Sequence, residues 1–315
     1  MRKQLVLLSV VALAMLSIAT SASAQPATNS PSTWHVQLGV ASEDMARMGM
    51  AFYPSDLAVH SGDVIVFTSG VPLEPHTVTF GAPNDLYLNP FDYFAPYGGT
   101  TFVGEPLNSG WLGDGLPFGT SFTLTIAAAP GTYSFRCGLH PLMRGTIVVV
   151  PADQPLPSTD AQNQRRALAQ ETVDLARARV LATQSAVAAK LASDIGGTGI
   201  EVAIGGGDGT STVMRFAPDS LAVHVGDKVT FVNRDAYTPH TVTFGEEPPG
   251  APNSLIAPYG DPTNFDGTTP LNSGFLWVPF GVTMFQVTFT APGTYNYICG
   301  LHDVMGMTAS ITVVA

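Results

Sequence analysis

The sequence predicts an all-β protein built as two tandem β-sandwiches joined by a long helix, and three observations carry that reading. Residues 33–152 and 198–315 repeat one another motif by motif. Each repeat reads as short alternating strands broken by Gly- and Pro-containing turns. Between them, residues 160–193 are rich in Ala, Gln, Arg and Leu and contain no Gly or Pro. The composition agrees: with 45% hydrophobic residues, 12% charged residues, 32 Gly and 25 Pro among 315 residues, many short strands are expected rather than a helical bundle.

In chain order the leader comes first. Arg2 and Lys3 precede an apolar run over 5–19, and Ala22-Ser23-Ala24 precedes Gln25, the layout of a cleavable export signal over residues 1–24. No other stretch is long and apolar enough to span a bilayer, so the expected location is periplasmic or extracellular. The net charge of −11, more acidic still without Arg2 and Lys3, argues against nucleic acid and anionic membrane surfaces as partners.

The first sandwich is expected over 33–152. Leu57-Ala58-Val59-His60-Ser61-Gly62-Asp63 reads as strand then turn, and it returns as Leu221-Ala222-Val223-His224-Val225-Gly226-Asp227 in a second sandwich over 198–315. Phe122-Thr123-Leu124-Thr125-Ile126 and Gln286-Val287-Thr288-Phe289-Thr290 alternate as half-buried strands do. Ala129-Pro130-Gly131-Thr132-Tyr133 and Ala291-Pro292-Gly293-Thr294-Tyr295 are turns into the strand that delivers each cysteine. Thr146-Ile147-Val148-Val149-Val150 and Ser310-Ile311-Thr312-Val313-Val314 are closing strands. Two packed sheets bury such a series in each repeat. Residues 153–197 form the linker, with a helix over 160–193 ended by Gly196-Gly197 and about 50 Å long. Its apolar stripe of Val173, Val180 and Val187, with Ala176 and Leu191 beside them, is expected to lie on the sandwiches; pairing with a second chain is the alternative.

The chemistry concentrates in a motif present twice. Cys137-Gly138-Leu139-His140-Pro141-Leu142-Met143 and Cys299-Gly300-Leu301-His302-Asp303-Val304-Met305-Gly306-Met307 each follow a Pro-His-Thr-Val-Thr-Phe segment, which contributes His76 or His240. One thiolate, two imidazoles and one thioether per repeat are soft and borderline donors, and that set suits a mononuclear copper ion engaged in electron transfer. Two cysteines in an exported chain would ordinarily suggest one disulfide. Here each occupies the same place in its own repeat, followed by Gly-Leu-His, so two separate sites are expected. Aligning the closing strands sets Met307 against Met143 and leaves Met305 as a neighbour.

These residues resemble the cupredoxins, the small blue copper proteins, and the implied sandwiches are of their Greek-key type. The run from Cys137 to Met143 is similar to the short ligand loop of amicyanin; the longer spacing from Cys299 to Met307 is similar to that of pseudoazurin and plastocyanin. The resemblance covers both sandwiches but not the helix. It implies two type 1 copper sites cycling Cu(II) and Cu(I), with His76, Cys137, His140 and Met143 in one and His240, Cys299, His302 and Met307 in the other. It further implies that His140 or His302, the ligand nearest the surface, is the route for the electron; the partners are then redox proteins, and the acidic net charge of −11 suits a neutral or basic docking face on them.

A copper oxidase or nitrite reductase is the enzyme alternative. It needs further His ligands, commonly one beside the thiolate, whereas Arg136 and Ile298 precede the two cysteines and only His35, His60 and His224 remain. Copper storage or delivery is the third reading. His60 and His224 are expected to be strand residues outside the sites, and Met45, Met48 and Met50 to be core filling. The stretches 81–119 and 245–281 are long insertions, expected to cover the copper face, shape a partner surface or pack the halves together.

Overall fold

A computed structural model describes residues 30–81, 95–115, 117–195, 199–235, 237–247, 249–250 and 253–315. The export signal expected over 1–24 and the glycines at 196–197 lie outside the described residues, as does part of each long insertion.

The first repeat supplies β1 (Thr33–Ala41), β2 (Arg47–Tyr53), β3 (Asp56–His60), β4 (Val64–Ser69), β5 (Thr79–Phe80), β6 (Thr101–Phe102), β7 (Leu107–Asn108), β8 (Ser121–Ile126), β9 (Gly131–Arg136) and β10 (Arg144–Val150). Helix α1 (Asp160–Ile195) follows. The second repeat supplies β11 (Ile200–Gly207), β12 (Ser211–Ala217), β13 (Ser220–His224), β14 (Lys228–Asn233), β15 (Thr243–Phe244), β16 (Leu271–Asn272), β17 (Met284–Thr288), β18 (Gly293–Ile298) and β19 (Thr308–Val314).

The same topology appears in both halves. β10 pairs in parallel with β3 and antiparallel with β9, as β19 does with β13 and β18. These form two five-stranded sheets, ordered β3-β10-β9-β5-β7 and β13-β19-β18-β15-β16. The alternation read from the sequence faces matching aromatic cores. Phe135 packs edge-on against Phe52 at 4.7 Å and Phe67 at 5.6 Å; Tyr297 packs against Phe216 at 4.8 Å and Phe231 at 5.3 Å. Phe135 and Tyr297 each lie two residues before a cysteine, so the strand that leads to each cysteine is anchored in its aromatic core. The Tyr of each Ala-Pro-Gly-Thr-Tyr turn donates its hydroxyl to the carbonyl four residues back, Tyr133 to Ala129 at 2.9 Å and Tyr295 to Ala291 at 2.8 Å, and pins the entry to that strand.

The two halves are more closely joined than a linker would require. β2 pairs antiparallel with β12 through Ser211 and Gly49, Thr212 and Met48, and Val213 and Arg47. One nine-stranded sheet, β17-β14-β11-β12-β2-β1-β4-β8-β6, therefore runs through both, and Pro31–Ala315 forms one compact unit. Met48 and Met50 are buried in the core cluster of the second half and Met45 packs against it. The methionines are core filling, at the junction.

Helix α1 begins with a reciprocal cap: Thr159 Oγ1 accepts from Gln162 N–H, and Gln162 Oε1 accepts from Thr159 N–H at 2.8 Å. The helix lies across β1, β2, β11 and β12, spanning the junction. The expected apolar stripe does not make this contact: Val173, Val180, Val187 and Leu191 are between 54% and 60% exposed. The buried face is instead Asn163, Ala167, Asp174, Ala178, Ser185 and Ala189, small or polar residues recurring every eleven positions, close to three helical turns and so on one side of the helix. The physical reason is close approach. A Cβ on Gly206 would sit 2.2 Å from Ser185 Oγ, and one on Gly49 would sit 3.1 Å from Asp174 Cβ, so only small side chains fit between helix and sheet. No described helix is long and apolar enough to cross a membrane.

Candidate metal centres

Each half brings together one cysteine and two histidines. Cys137 Sγ lies 3.6 Å from His140 Nδ1 and 3.9 Å from His76 Nδ1, and the two nitrogens are 3.2 Å apart. In the second half, Cys299 Sγ lies 3.3 Å from His302 Nδ1 and 3.7 Å from His240 Nδ1, again with 3.2 Å between nitrogens. All six side chains are buried, and both cysteines are free thiols, so the disulfide reading does not apply. The donor set fits a metal ion. Bonds of about 2.0 Å to nitrogen and about 2.3 Å to sulfur put the corners of a trigonal site about 3.5 Å apart, close to the separations in both triangles.

The recurrent motif around the histidines builds the surroundings of the sulfur. Thr77 N–H and Leu139 N–H each donate to Cys137 Sγ at 3.4 Å, and Thr77 Oγ1 accepts from Gly138 N–H at 2.7 Å. Thr241 N–H donates to Cys299 Sγ at 3.3 Å and its hydroxyl accepts from Gly300 N–H at 2.8 Å. Thr79 and Thr243 continue each network to the Oδ1 of Asn108 and Asn272. These donors favour thiolate over thiol and fix its direction. The insertions serve the site from the other side. His76 exchanges backbone hydrogen bonds with Leu112 at 2.8 Å, and His240 does so with Leu276 at 3.3 and 2.8 Å, so the strand-like ends of both insertions brace a candidate ligand histidine.

Cys137 N–H donates to Met143 O at 2.9 Å and Cys299 N–H to Met307 O at 3.0 Å. Met143 and Met307 are thus counterparts in the backbone ladder, both fully buried. Met305 ends a short 3-10 turn, and its carbonyl accepts from Arg215 Nη1 at 2.8 Å while Arg215 Nη2 donates to Asp44 O in the first half at 2.7 Å. The remaining histidines are elsewhere: His35 pairs with Asp160, His60 Nε2 meets Gln154 O at 2.9 Å, and His224 is exposed beside Asp227.

Two features escaped sequence reasoning. Gly39 and Gly205 sit at positive φ in matching bulges of β1 and β11, where an added Cβ would come within 2.8 Å of the Nε2 of His76 or His240. The matching strands Val36-Gln37-Leu38-Gly39 and Val202-Ala203-Ile204-Gly205 carried that signal. The second is Glu74. Its Oε1 lies 3.0 Å from His140 Nε2 and its Oε2 3.4 Å from His302 Nε2. The His140 N–H is not aimed squarely at the oxygen, so that contact is one of charge more than of a well-formed hydrogen bond. His140 and His302 are 2% and 3% exposed, which corrects the expectation of a ligand at the surface: the outer nitrogen of each is turned to Glu74, which for His302 comes from the other half.

Burial favours the neutral form of all these groups, yet opposite charges outweigh it. The Glu74 carboxyl is held well below the usual carboxylate range by His140 and His302. The Cys137 thiol is held well below its usual value by His140 and His76, and that of Cys299 by His302 and His240. The thiolate beside it and Glu74 together push His140 up to about 10, and likewise His302.

Comparison with known proteins agrees with the site. The family described as copper binding proteins, plastocyanin/azurin family, matches residues 201–314. The major chloroplastic plastocyanin of Arabidopsis thaliana is 34% identical over 130 residues, covering 41% of this chain and 67% of the relative. Plastocyanin of Capsella bursa-pastoris is 34% identical over 116 residues, covering 36% of this chain and 99% of the relative. The solved structure of oxidized plastocyanin from Dryopteris crassirhizoma aligns at 26% identity over 36% of this chain and 99% of its own, with a TM-score of 0.25. With relatives of that identity matched along most or all of their length, and the same buried donor cluster in both of its repeats, the chain belongs to the cupredoxins, the copper-binding plastocyanin/azurin family.

Proposed function

We propose that the chain is an exported electron carrier with two type 1 copper sites, one held by His76, Cys137, His140 and Met143 and the other by His240, Cys299, His302 and Met307. The observation that carries this reading is the pair of buried Cys-His-His triangles, each with donor atoms spaced for one ion. Bound copper supplies one-electron chemistry between Cu(II) and Cu(I). The protein's part is to hold the donors still: three come from one short loop anchored on β9 or β18, the fourth is braced by an insertion, and backbone N–H groups hold the sulfur. A cage that does not rearrange keeps the reorganisation on electron transfer small, and burial keeps water out.

Domain limits of 33–152 and 198–315, with 153–197 as the helical connection, follow from the repeat. An export signal over 1–24 places the mature protein in the periplasm or outside the cell. The partners are redox proteins with neutral or basic docking faces, matching the acidic chain. A second copy of the chain docks on the exposed Val173, Val180, Val187 and Leu191 stripe. Electron transfer is favoured over catalysis because His35, His60 and His224 are engaged away from the two clusters.

The test is metal counting with visible and paramagnetic-resonance spectra on the mature chain and on Cys137→Ser and Cys299→Ser. Two coppers per chain with intense blue absorption are expected, each variant losing one copper and its share of the colour. A colourless, readily exchanged metal would instead indicate copper handover, and more than two coppers per chain would indicate an enzyme.

A further inference from the structure

Three observations single out Glu74. It is buried, 2% exposed, and among the described residues no lysine or arginine pairs with it; its oxygens are divided between His140 of one cluster and His302 of the other. The repeats diverge here: Glu74-Pro75-His76 in the first becomes Thr238-Pro239-His240 in the second, so one carboxylate from one half serves both clusters. Leu73, immediately before it, holds a left-handed φ of 65°, a conformation a branched residue keeps only when its surroundings impose it. Here they do: Leu73 N–H donates to Asp114 O at 2.8 Å, and the side chain packs on the core of the second half.

We propose that Glu74 links the two centres into one coupled pair, carrying an electron between the His140 and His302 ligand sets and making each centre's potential depend on the state of the other. The inference rests on the two-copper reading above. The step is balanced within the protein: one centre goes from Cu(I) to Cu(II) as the other goes from Cu(II) to Cu(I), with no proton moved and no outside reactant. The route runs from Cys137 and His140 Nδ1 across the ring to Nε2, through the carboxylate, and back through His302 Nε2 to Nδ1 and Cys299. Every atom on it is buried, so no solvent interrupts it, and a change of charge at one end is weakly screened at the other. Coupling of this kind is reciprocal.

Glu74→Gln is the informative variant. The amide keeps the shape but can accept from only one imidazole; its NH2 group then meets the other Nε2–H as donor against donor. With the copper content of both sites measured first, one electron is delivered by pulse reduction and its redistribution between the two spectra is followed. The wild type is expected to equilibrate at a rate independent of protein concentration; in Glu74→Gln that rate falls more than tenfold and both potentials rise together as the negative charge is removed. If both sites load and neither the rate nor the potentials change, Glu74 is only an interface ion pair and the inference fails while the electron-carrier reading stands. If the wild-type electron remains where it lands, the link is likewise absent, whether or not the variant folds. Should the wild type bind no copper at all, the carrier reading falls and this inference with it. Independently of copper, 15N NMR of the metal-free protein should show the Nε2–H signals of both His140 and His302 displaced by the single Glu74→Gln change; displacement of only one would refute a shared contact.

Discussion

The hydroxyl of Tyr53, at the end of β2, donates a 2.6 Å hydrogen bond to Asp174 on the sheet-facing side of α1, and both groups are buried. Gln170 Nε2 takes the other carboxylate oxygen at 2.9 Å. The helix is therefore tied to the strand that joins the two halves, beside the Gly49 approach. Tyr53→Phe leaves one oxygen of a buried carboxylate without its donor and should cost about 1–3 kcal/mol. Urea unfolding of the two proteins measures this, with unchanged spectra at both copper sites separating a stability effect from a site effect.

Met307 and Met305 differ in backbone position. Met307 O accepts from Cys299 N–H as Met143 O does from Cys137, whereas Met305 O is held by Arg215. Met307→Leu should change the optical spectrum and potential of the second site and leave the first alone. A spectrum altered by Met305→Leu and untouched by Met307→Leu would reverse the assignment.

Gly39 and Gly205 give the two histidines room. In Gly39→Ala the new methyl meets Val71 Cγ2 at 2.4 Å and His76 Nε2 at 2.8 Å; in Gly205→Ala it meets His240 Nε2 at 2.8 Å and the Val213 carbonyl at 2.9 Å. Each backbone is also left-handed, which disfavours any residue with a Cβ. Gly39→Ala should weaken copper at the first site alone and Gly205→Ala at the second alone. Metal counting at limiting copper distinguishes the two.

The exposed valines of α1 contribute little to the fold of one chain. Val173→Glu, Val180→Glu and Val187→Glu should each change unfolding free energy by no more than about 0.5 kcal/mol. The triple variant should be monomeric by sedimentation if a second copy docks on this stripe, and an unchanged association state would remove the stripe as a docking face.

Asp208 reports on the β11–β12 turn. Partial burial would raise its pKa, but the N–H groups of Thr210 and Ser211, the Thr210 hydroxyl and the Arg177 guanidinium lower it. A carboxyl depressed by folding adds stability above its unfolded pKa, and that contribution disappears as pH falls through the folded-state value. Asp208→Asn should therefore flatten the acid side of the stability profile, measured by urea midpoints at descending pH.

The ligand loops were legible because their information is local. Cys, His and Met within a few residues, repeated in register, specify a donor set before any fold is known, and the alternation of Phe122-Thr123-Leu124-Thr125-Ile126 and its fellows predicts half-buried strands of the sandwich. Helix α1 was legible in extent but not in orientation. The large apolar side chains of the stripe are Val173, Val180 and Val187, while the face against the sheet is made of Ala, Ser, Asn and Asp, as the close approach of Gly49 and Gly206 requires.

Two matters belonged to the tertiary structure alone. Whether His140 and His302 meet solvent depends on long-range packing, which buries both with their outer nitrogens toward Glu74. Glu74, an isolated acid beside a proline in the chain, acquires its place only when His140 and His302, 66 (140 − 74) and 228 (302 − 74) positions further on, are brought close to it. The sequence by itself determined the candidate donors, the repeat and the strands, since each is written in short local motifs; the shared carboxylate and the buried imidazoles were decided by long-range packing, which no local pattern encodes.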